Sequence, residues 1–148
     1  MLRLSKITDY GVLVMTHIAT TPAELHSSHE IAEATGLGDA TVSKVLKLLT
    51  KPGLLASTRG NHGGYRLARL SSQISVAEIV TALEGPIALT ECGSHDSQCS
   101  VQSGCGVRGH WQLISVAIRD ALDGITLEQL TRPATPIQPV QFKQLATS

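Results

Sequence analysis

Two short helical patterns joined by a glycine-bounded turn constrain this fold more than any other feature of the chain. The first predicted helix spans Ser28 to Thr35 and the second Ala40 to Thr50, with Gly36-Leu37-Gly38 between them. In the second helix, apolar residues recur at the spacing of one helical face, and polar or basic residues occupy the other. A helix-turn-helix has this pattern, as does an unspecified helical hairpin. The apolar face consists of Val42, Val45, Leu46 and Leu49.

The residues that follow predict a β-hairpin. Residues 54–58 are typical of a strand, 59–64 of a glycine-rich loop and 65–68 of the returning strand. Arg59 and Arg66 flank the tip. A basic hairpin directly after a helix-turn-helix is a wing, so we expect a mainly α fold with a small β-hairpin wing, in which the winged helix-turn-helix binds DNA.

Three further helical patterns surround this unit, over about residues 5–19, 75–84 and 108–123, with a final helical turn near 126–130. The stripe of residues 108–123 has few apolar partners left in its own chain, which favours packing on a second copy. A core position is the more common role for its Trp111. The residues expected to cap helices are Ser27 or Ser28, Asp39, Ser75 with Glu78, and Thr126 with Gln129.

Charge is balanced overall but unevenly distributed. Twelve basic and twelve acidic residues give a net charge of zero, which excludes a uniformly basic coat. Residues 41–70 nevertheless contain six Lys or Arg and no acidic residue. Such a segment favours a polyanion, although most charge runs are solvated faces.

The dimensions of the DNA grooves suggest a role for each exposed side chain of this segment. A helix fits the major groove, and a tip poor in side-chain bulk fits the narrower minor groove. We expect Arg59 in the minor groove, with His62 either beside it or exposed without a role, and Lys51 and Arg66 on phosphates. The side chains expected at base edges and phosphates of the major groove are Thr41, Ser43, Lys44 and Lys47.

All three cysteines, Cys92, Cys99 and Cys105, lie within fourteen residues of a polar stretch. An odd number of cysteines in a reducing compartment argues against a disulfide framework. Their spacing lacks the C-x2-C knuckles of structural zinc sites, and thiolates are preferred ligands of iron-sulfur clusters. An iron-sulfur cluster, zinc and thiol-disulfide redox sensing all remain open on spacing alone.

Several classes of protein are disfavoured. No apolar run is long enough to span a membrane, and the N-terminus does not resemble a secretory signal, so we expect a cytoplasmic protein. A mean hydropathy of +0.10 argues against disorder throughout. The chain has no C-x-x-C, no apparent Ser/His/Asp order and no phosphate-binding glycine loop, so we do not expect an enzyme.

The order of motifs resembles the IscR/NsrR/RirA superfamily of winged-helix transcription regulators over about residues 1–131. The resemblance is carried by LSKITDYGVLVM, the helix-turn-helix, RGxxGGYRLA, ISVAEIVxALEG and the three-cysteine stretch. ALEGPIALTEC and CxVRGxW are most similar to regulators of the SUF iron-sulfur assembly operon. The resemblance implies a homodimer that binds a [2Fe-2S] or [4Fe-4S] cluster through the cysteines and activates or represses transcription according to cluster state.

The fourth cluster ligand departs from this pattern. In the IscR branch it is a histidine three residues after the last cysteine, where this chain has Arg108, which cannot coordinate iron. His110 and Asp9 are equally ranked candidates, and Asp9 matches the position from which the NsrR branch supplies a partner carboxylate. His95 ranks behind them because its polar neighbours suggest solvation. Whether the cluster is [2Fe-2S] or [4Fe-4S] depends on which residue is the fourth ligand.

These patterns divide the chain into a winged helix-turn-helix domain (1–85), a cysteine-rich cluster-binding loop (86–108), a dimerisation helix (109–131) and a flexible tail (132–148). The expected function is cluster-dependent control of SUF-type genes through a roughly palindromic operator on double-stranded DNA. The alternative is a zinc-stabilised or thiol-redox winged-helix regulator without a cluster.

Overall fold

The structure, a computed structural model, describes residues 3–89 and 108–133. These residues are mainly helical, with one antiparallel hairpin, as the sequence predicts. A single 3-10 turn, Ser71–Gln73, precedes α4. The elements are α1 Lys6–Thr20, α2 Ser28–Thr35, α3 Asp39–Thr50, β1 Leu55–Thr58, β2 Gly64–Leu67, α4 Val76–Glu84, α5 Arg108–Asp123 and α6 Leu127–Leu130.

One apolar core joins the first three helices to the wing and α4. The predicted apolar face of α3 is fully buried, and it packs with the inner face of α1 in one cluster. Burial of such side chains supplies the main stabilising free energy of a small domain. The fixed inner face of α3 therefore determines which of its residues point outward. The fully buried residues of these two helices include Val14, Met15, Ile18, Val42, Val45, Leu46 and Leu49.

β2 of the wing also forms an isolated β-bridge, at His26, that the sequence pattern does not reveal. The backbone N–H of His26 donates to the carbonyl of Tyr65 at 3.0 Å, and the N–H of Tyr65 donates back at 2.8 Å. β2 is therefore paired on both edges, with β1 on one side and His26 on the other. A Cβ at Gly64 would lie 2.8 Å from the backbone oxygen of His26, so only glycine allows this approach.

One predicted cap is wrong. Asp39 does not cap α3: it is the first residue of the helix, Gly38 occupies the N-cap position, and no side chain bonds there. The carboxylate of Asp39 instead points to His29 of α2. The capping boxes that begin at Ser75 and Thr126 are confirmed, and Ser27 rather than Ser28 caps α2.

The C-terminal helices return to the winged domain. α5 packs on α4, and α6 inserts Leu127, which is fully buried, into the main core. Backbone bonds from Leu127 to Ile74 and from Val76 to Ile125, both 2.8 Å, fasten α6 beside the start of α4. The proposed boundary near residue 85 stays a prediction, but these contacts tie both sides of it together.

Much of the apolar surface of α5 is exposed in the single chain. Trp111 is 38% exposed, Leu113 69% and Ile114 39%, so Trp111 is not the core residue that its type suggested. Ser115, in contrast, is only 1% exposed. An uncovered apolar helix face of this kind is uncommon on a monomer.

Gly64→Ala tests the paired wing. We expect the variant to lose about 1–3 kcal/mol of unfolding free energy, because the added methyl group meets backbone rather than a movable side chain. Urea denaturation followed by circular dichroism measures the loss. Gly109→Ala is the control, since its Cβ meets nothing within 4 Å. Equal stability of both variants and the wild type would contradict this account of the wing.

Candidate nucleic-acid interface

The outer face of α3 carries the predicted major-groove residues. Lys44 and Lys47 are exposed, and Thr41 and Ser43 are half-buried at the edge of the same face. Because the opposite face is fixed in the core, these four side chains are presented together on one exposed side of the helix. Polar and basic side chains on an exposed helix are suited to the phosphates and base edges of a major groove.

α3 and the wing share a groove. It is lined by the C-terminal part of α3 and by a cross-strand pair of the hairpin, Ser57 opposite Tyr65. Lys47 and Lys51, one turn apart, form its basic side. The sequence pattern does not identify Ser57 or Thr50 as members of this groove. Tyr65 is half-buried and contacts both the core and the groove. The strand register would have identified the Ser57–Tyr65 pair.

The wing tip is narrow because glycines close it. Gly60 has a φ of 117°, in the region that favours glycine, and its carbonyl accepts from the N–H of Gly63 at 2.9 Å. A Cβ at Gly63 would approach the backbone oxygen of Thr58 to 2.2 Å. Arg59 and His62 are exposed on this tip. The geometry is compatible with entry of Arg59 into a minor groove.

The basic residues differ in whether they are already paired. Arg69 donates to Glu78 at 2.7 Å and to the carbonyl of Gln73 at 3.1 Å, so this arginine holds the base of the wing to α4. Within residues 3–89 and 108–133, the other exposed bases of the segment have no carboxylate within 4 Å. Their charges are therefore available to a polyanion. These bases are Lys44, Lys47, Lys51, Arg59 and Arg66.

A histidine links the two helices of the helix-turn-helix. Nδ1 of His29 lies 3.3 Å from the carboxylate of Asp39, and its Nε2 lies 3.7 Å from that of Glu33. The hydrogen bond with Asp39, followed by the charges of Glu33 and Asp39, raises the pKa of His29 above 6.5. When it is protonated, His29 balances two carboxylates beside the start of α3.

The candidate cluster ligands are only partly within the described residues. Cys92, Cys99, Cys105 and His95 lie outside them. Asp9, in the first turns of α1, and His110, in the first turn of α5, are both exposed. In the part of the chain that the structure describes, no three His, Cys, Asp or Glu side chains are grouped to hold a metal ion.

Comparison with known proteins identifies the family. A family model for Rrf2, an iron-dependent transcriptional regulator, matches residues 4–133. The chain belongs to the Rrf2 family. Protein aau3 of Rhizobium meliloti is 31% identical over 132 residues, which are 88% of this chain and 86% of aau3.

Two solved structures extend the comparison. CymR (YrzC), the global cysteine regulator of B. subtilis, superposes with a TM-score of 0.69 at 30% identity, over 88% of this chain and 97% of CymR. T. potens IscR gives a TM-score of 0.64 at 32% identity, over 87% of this chain and 85% of IscR. The predicted winged-helix fold and superfamily are confirmed. This Rrf2 protein is a DNA-binding transcriptional regulator, not an enzyme.

Among the described residues, no helix is both long and apolar enough to cross a bilayer.

Lys51→Ala and Arg59→Ala separate non-specific from specific DNA binding. With a duplex selected by the wild type from a randomised pool, we expect Lys51→Ala to weaken selected and random DNA alike. The slope of log K against the logarithm of salt concentration should become shallower by about 0.9, the value for one phosphate contact. Arg59→Ala should weaken mainly the selected duplex. Arg69→Ala, whose guanidinium is already paired, is the control; equal effects of all three on both duplexes would contradict the assignment.

Asp39→Asn tests the His29 link. Because the folded-state pKa of His29 is raised, its contribution to stability is present below pH 6.5 and is lost as pH rises through the raised value. We expect Asp39→Asn to lower the pKa of His29 towards 6.5, measured by NMR titration of the imidazole. Glu24→Gln, an exposed change away from the ring, should leave the pKa unchanged. An unaltered titration in Asp39→Asn would show that the carboxylate does not bind the ring.

Proposed function

We propose that this Rrf2 regulator senses iron-sulfur cluster status through a cluster bound by Cys92, Cys99 and Cys105, and that it controls SUF-type assembly genes. The observation that carries the proposal is the place of the cysteines in the chain. They are the only thiols, and they lie between α4 and α5, two packed helices of a DNA-binding protein. The family description as iron-dependent supports an iron ligand.

The residues present fit such a group in their chemistry. Three thiolates supply most of the ligands that a cluster needs, and thiolates favour iron-sulfur clusters over hard cations. The carboxylate of Asp9 and the imidazole of His110 are exposed, and neither has an ion-pair partner within 4 Å in residues 3–89 and 108–133. Either side chain is therefore free to complete the ligand set.

The described residues on either side of the cysteine segment, which are Leu89 and Arg108, support a connection between this segment and the rest of the fold. The N–H of Leu89 donates to the hydroxyl of buried Ser115 at 3.3 Å. Ser115 lies seven residues after Arg108, which is about 10 Å along the axis of α5. Leu89, the last described residue before the cysteines, is therefore bonded to α5 about 10 Å along the helix axis from Arg108, the first described residue after them. When bound, a cluster would supply a redox-sensitive centre whose gain or loss changes the charge of this segment.

We propose that the exposed face of α5 forms the homodimer. A helix face with apolar side chains and little cover in its own chain is suited to the same face of a second copy. Two copies would present two recognition helices, which favours a roughly palindromic operator. The residues on this face, at helical spacing, are His110, Leu113, Ile114, Ala117 and Ala121.

A second function, regulation by thiol chemistry without a cluster, is favoured by one comparison. CymR of B. subtilis, described as a global cysteine regulator, has the higher TM-score of the two compared structures. A zinc-stabilised form is a third arrangement of the same thiols. The iron, sulfide and zinc contents of the purified protein distinguish a cluster, a zinc site and metal-free thiol chemistry.

Replacing each cysteine by serine tests the cofactor. We expect wild-type protein purified without oxygen to absorb visible light and to contain iron and acid-labile sulfide. Each of Cys92→Ser, Cys99→Ser and Cys105→Ser should lose most of both, because a serine oxygen is a poor cluster ligand. Of Asp9→Ala, His110→Ala and His95→Ala, the variant that loses the most iron identifies the fourth ligand, and Glu24→Ala, a change at an exposed residue that is not a candidate ligand, is the control. Colourless protein with stoichiometric zinc, or metal content that survives all three serine variants, would contradict the proposal.

A further inference from the structure

The first turn of α1 is capped by a residue from another helix. Ser5 occupies the N-cap position, but its side chain makes no capping bond. Oε1 of Glu84 instead accepts the backbone N–H of Ser5 at 2.8 Å and the hydroxyl of Thr8. Helices α2, α4 and α6 each begin with a capping box of their own. The start of α1 therefore depends on a carboxylate 79 positions away in the chain.

The physical chemistry of this contact makes it specific. A carboxylate at a helix N-terminus interacts favourably with the exposed N–H groups and the helix dipole. The Thr8 side chain is fully buried, so its hydroxyl needs a nearby acceptor. Hydrogen bonds from Ser5 and Thr8 also lower the pKa of Glu84. Glu84 stays ionised and bound to α1 at neutral pH.

Glu84 is also the last residue of α4 before the chain leads to the cysteines. Gly85, with a φ of 93°, and Pro86, whose ring fixes φ, follow it directly. The proline ring removes one backbone torsion from the connection between Glu84 and the cysteine segment. The described residues continue to Leu89, three positions before Cys92.

α1 is also in contact with α3, the helix proposed to read DNA, through the shared core. It approaches α4 as well, so closely that a Cβ at Gly11 would overlap the side chain of Leu83. Interiors packed at this density do not absorb shifts locally. Movement of the first turn of α1 would therefore change the placement of α3.

We propose that Glu84 is a positioning residue that transmits the state of the cysteine segment to α3 by holding the first turn of α1. The role rests on the function proposed above, because it needs a cluster whose presence alters DNA binding. Glu84 itself is not a ligand of the cluster and does not contact DNA in this account. Its carboxylate couples the two sites, and a coupling of this kind appears as a ratio of affinities.

Three variants test the role. Glu84→Ala removes the acceptor, Glu84→Gln keeps an oxygen that can accept both bonds, and Thr8→Val removes the buried hydroxyl at similar volume. Glu24→Ala, an exposed acidic residue in the α1–α2 connection, is the control. For each protein, iron and sulfide per chain are measured, together with the dissociation constants of the iron-loaded and iron-free forms for the duplex selected by the wild type.

We expect Glu84→Ala to retain wild-type iron and sulfide while its ratio of loaded to iron-free affinity moves at least fivefold towards one. Thr8→Val should move the ratio in the same direction by less, and Glu84→Gln and Glu24→Ala should keep the wild-type ratio. Hydrogen exchange at the amides of residues 5–9 should be faster in Glu84→Ala, which shows that the first turn has loosened.

Two results would overturn the role of Glu84 alone: a wild-type ratio in Glu84→Ala with a full cluster, or loss of iron in that variant, which would mean that Glu84 holds the first turn of α1, with Asp9, for cluster binding and not for transmission to α3. A merely structural residue would weaken both forms equally and leave the ratio unchanged. If the wild type itself has a ratio of one, the proposed sensor function fails and the role of Glu84 fails with it. If the wild-type ratio differs from one and Glu84→Ala keeps it, only the role of Glu84 fails.

Discussion

The packing of α1 against α3 is the contact on which the rest of this structure depends. Val14 and Ile18 on one helix and Val45 and Leu46 on the other are fully buried in a single cluster. Because the apolar side of α3 is used in this way, its lysines have only the solvent side left. The same burial makes α1 a close-packed neighbour of α3, the helix that we propose reads DNA.

The helices and the wing could be predicted because they depend on local patterns. The period of Val42, Val45 and Leu49 fixes a buried face, and the sequences Ser75 to Glu78 and Thr126 to Gln129 contain both members of a capping box. The predicted cap at Asp39 is wrong for a related reason. An acidic residue before an apolar period resembles a cap, but here Gly38 begins the helix and the carboxylate bonds to His29 across the turn.

The tertiary features of the interface could not be predicted in the same way. The strand partner of Tyr65 is a single residue, His26, which has no strand pattern. Arg69 belongs to a segment whose charged residues are all basic, but its charge is paired with that of Glu78. No spacing rule reveals that these two side chains meet. The bond from Glu84 to Ser5 is likewise a contact between distant parts of the chain. The cysteine ligands stay predictions, since their residues lie outside those described.

The two parts of the proposed regulator thus share one mechanical element. The start of α1 is bonded to Glu84, the last residue of α4 before the cysteine segment, and α1 packs on α3, the helix proposed to bind DNA. The most direct test uses one anaerobic preparation of wild-type protein, with iron and acid-labile sulfide counted and binding to the selected duplex titrated before and after iron removal. We predict iron and sulfide in the first sample and a change in dissociation constant of about tenfold or more after iron removal, within the usual range of allosteric coupling. Equal dissociation constants for the two samples, or a first sample without iron and sulfide, would contradict it.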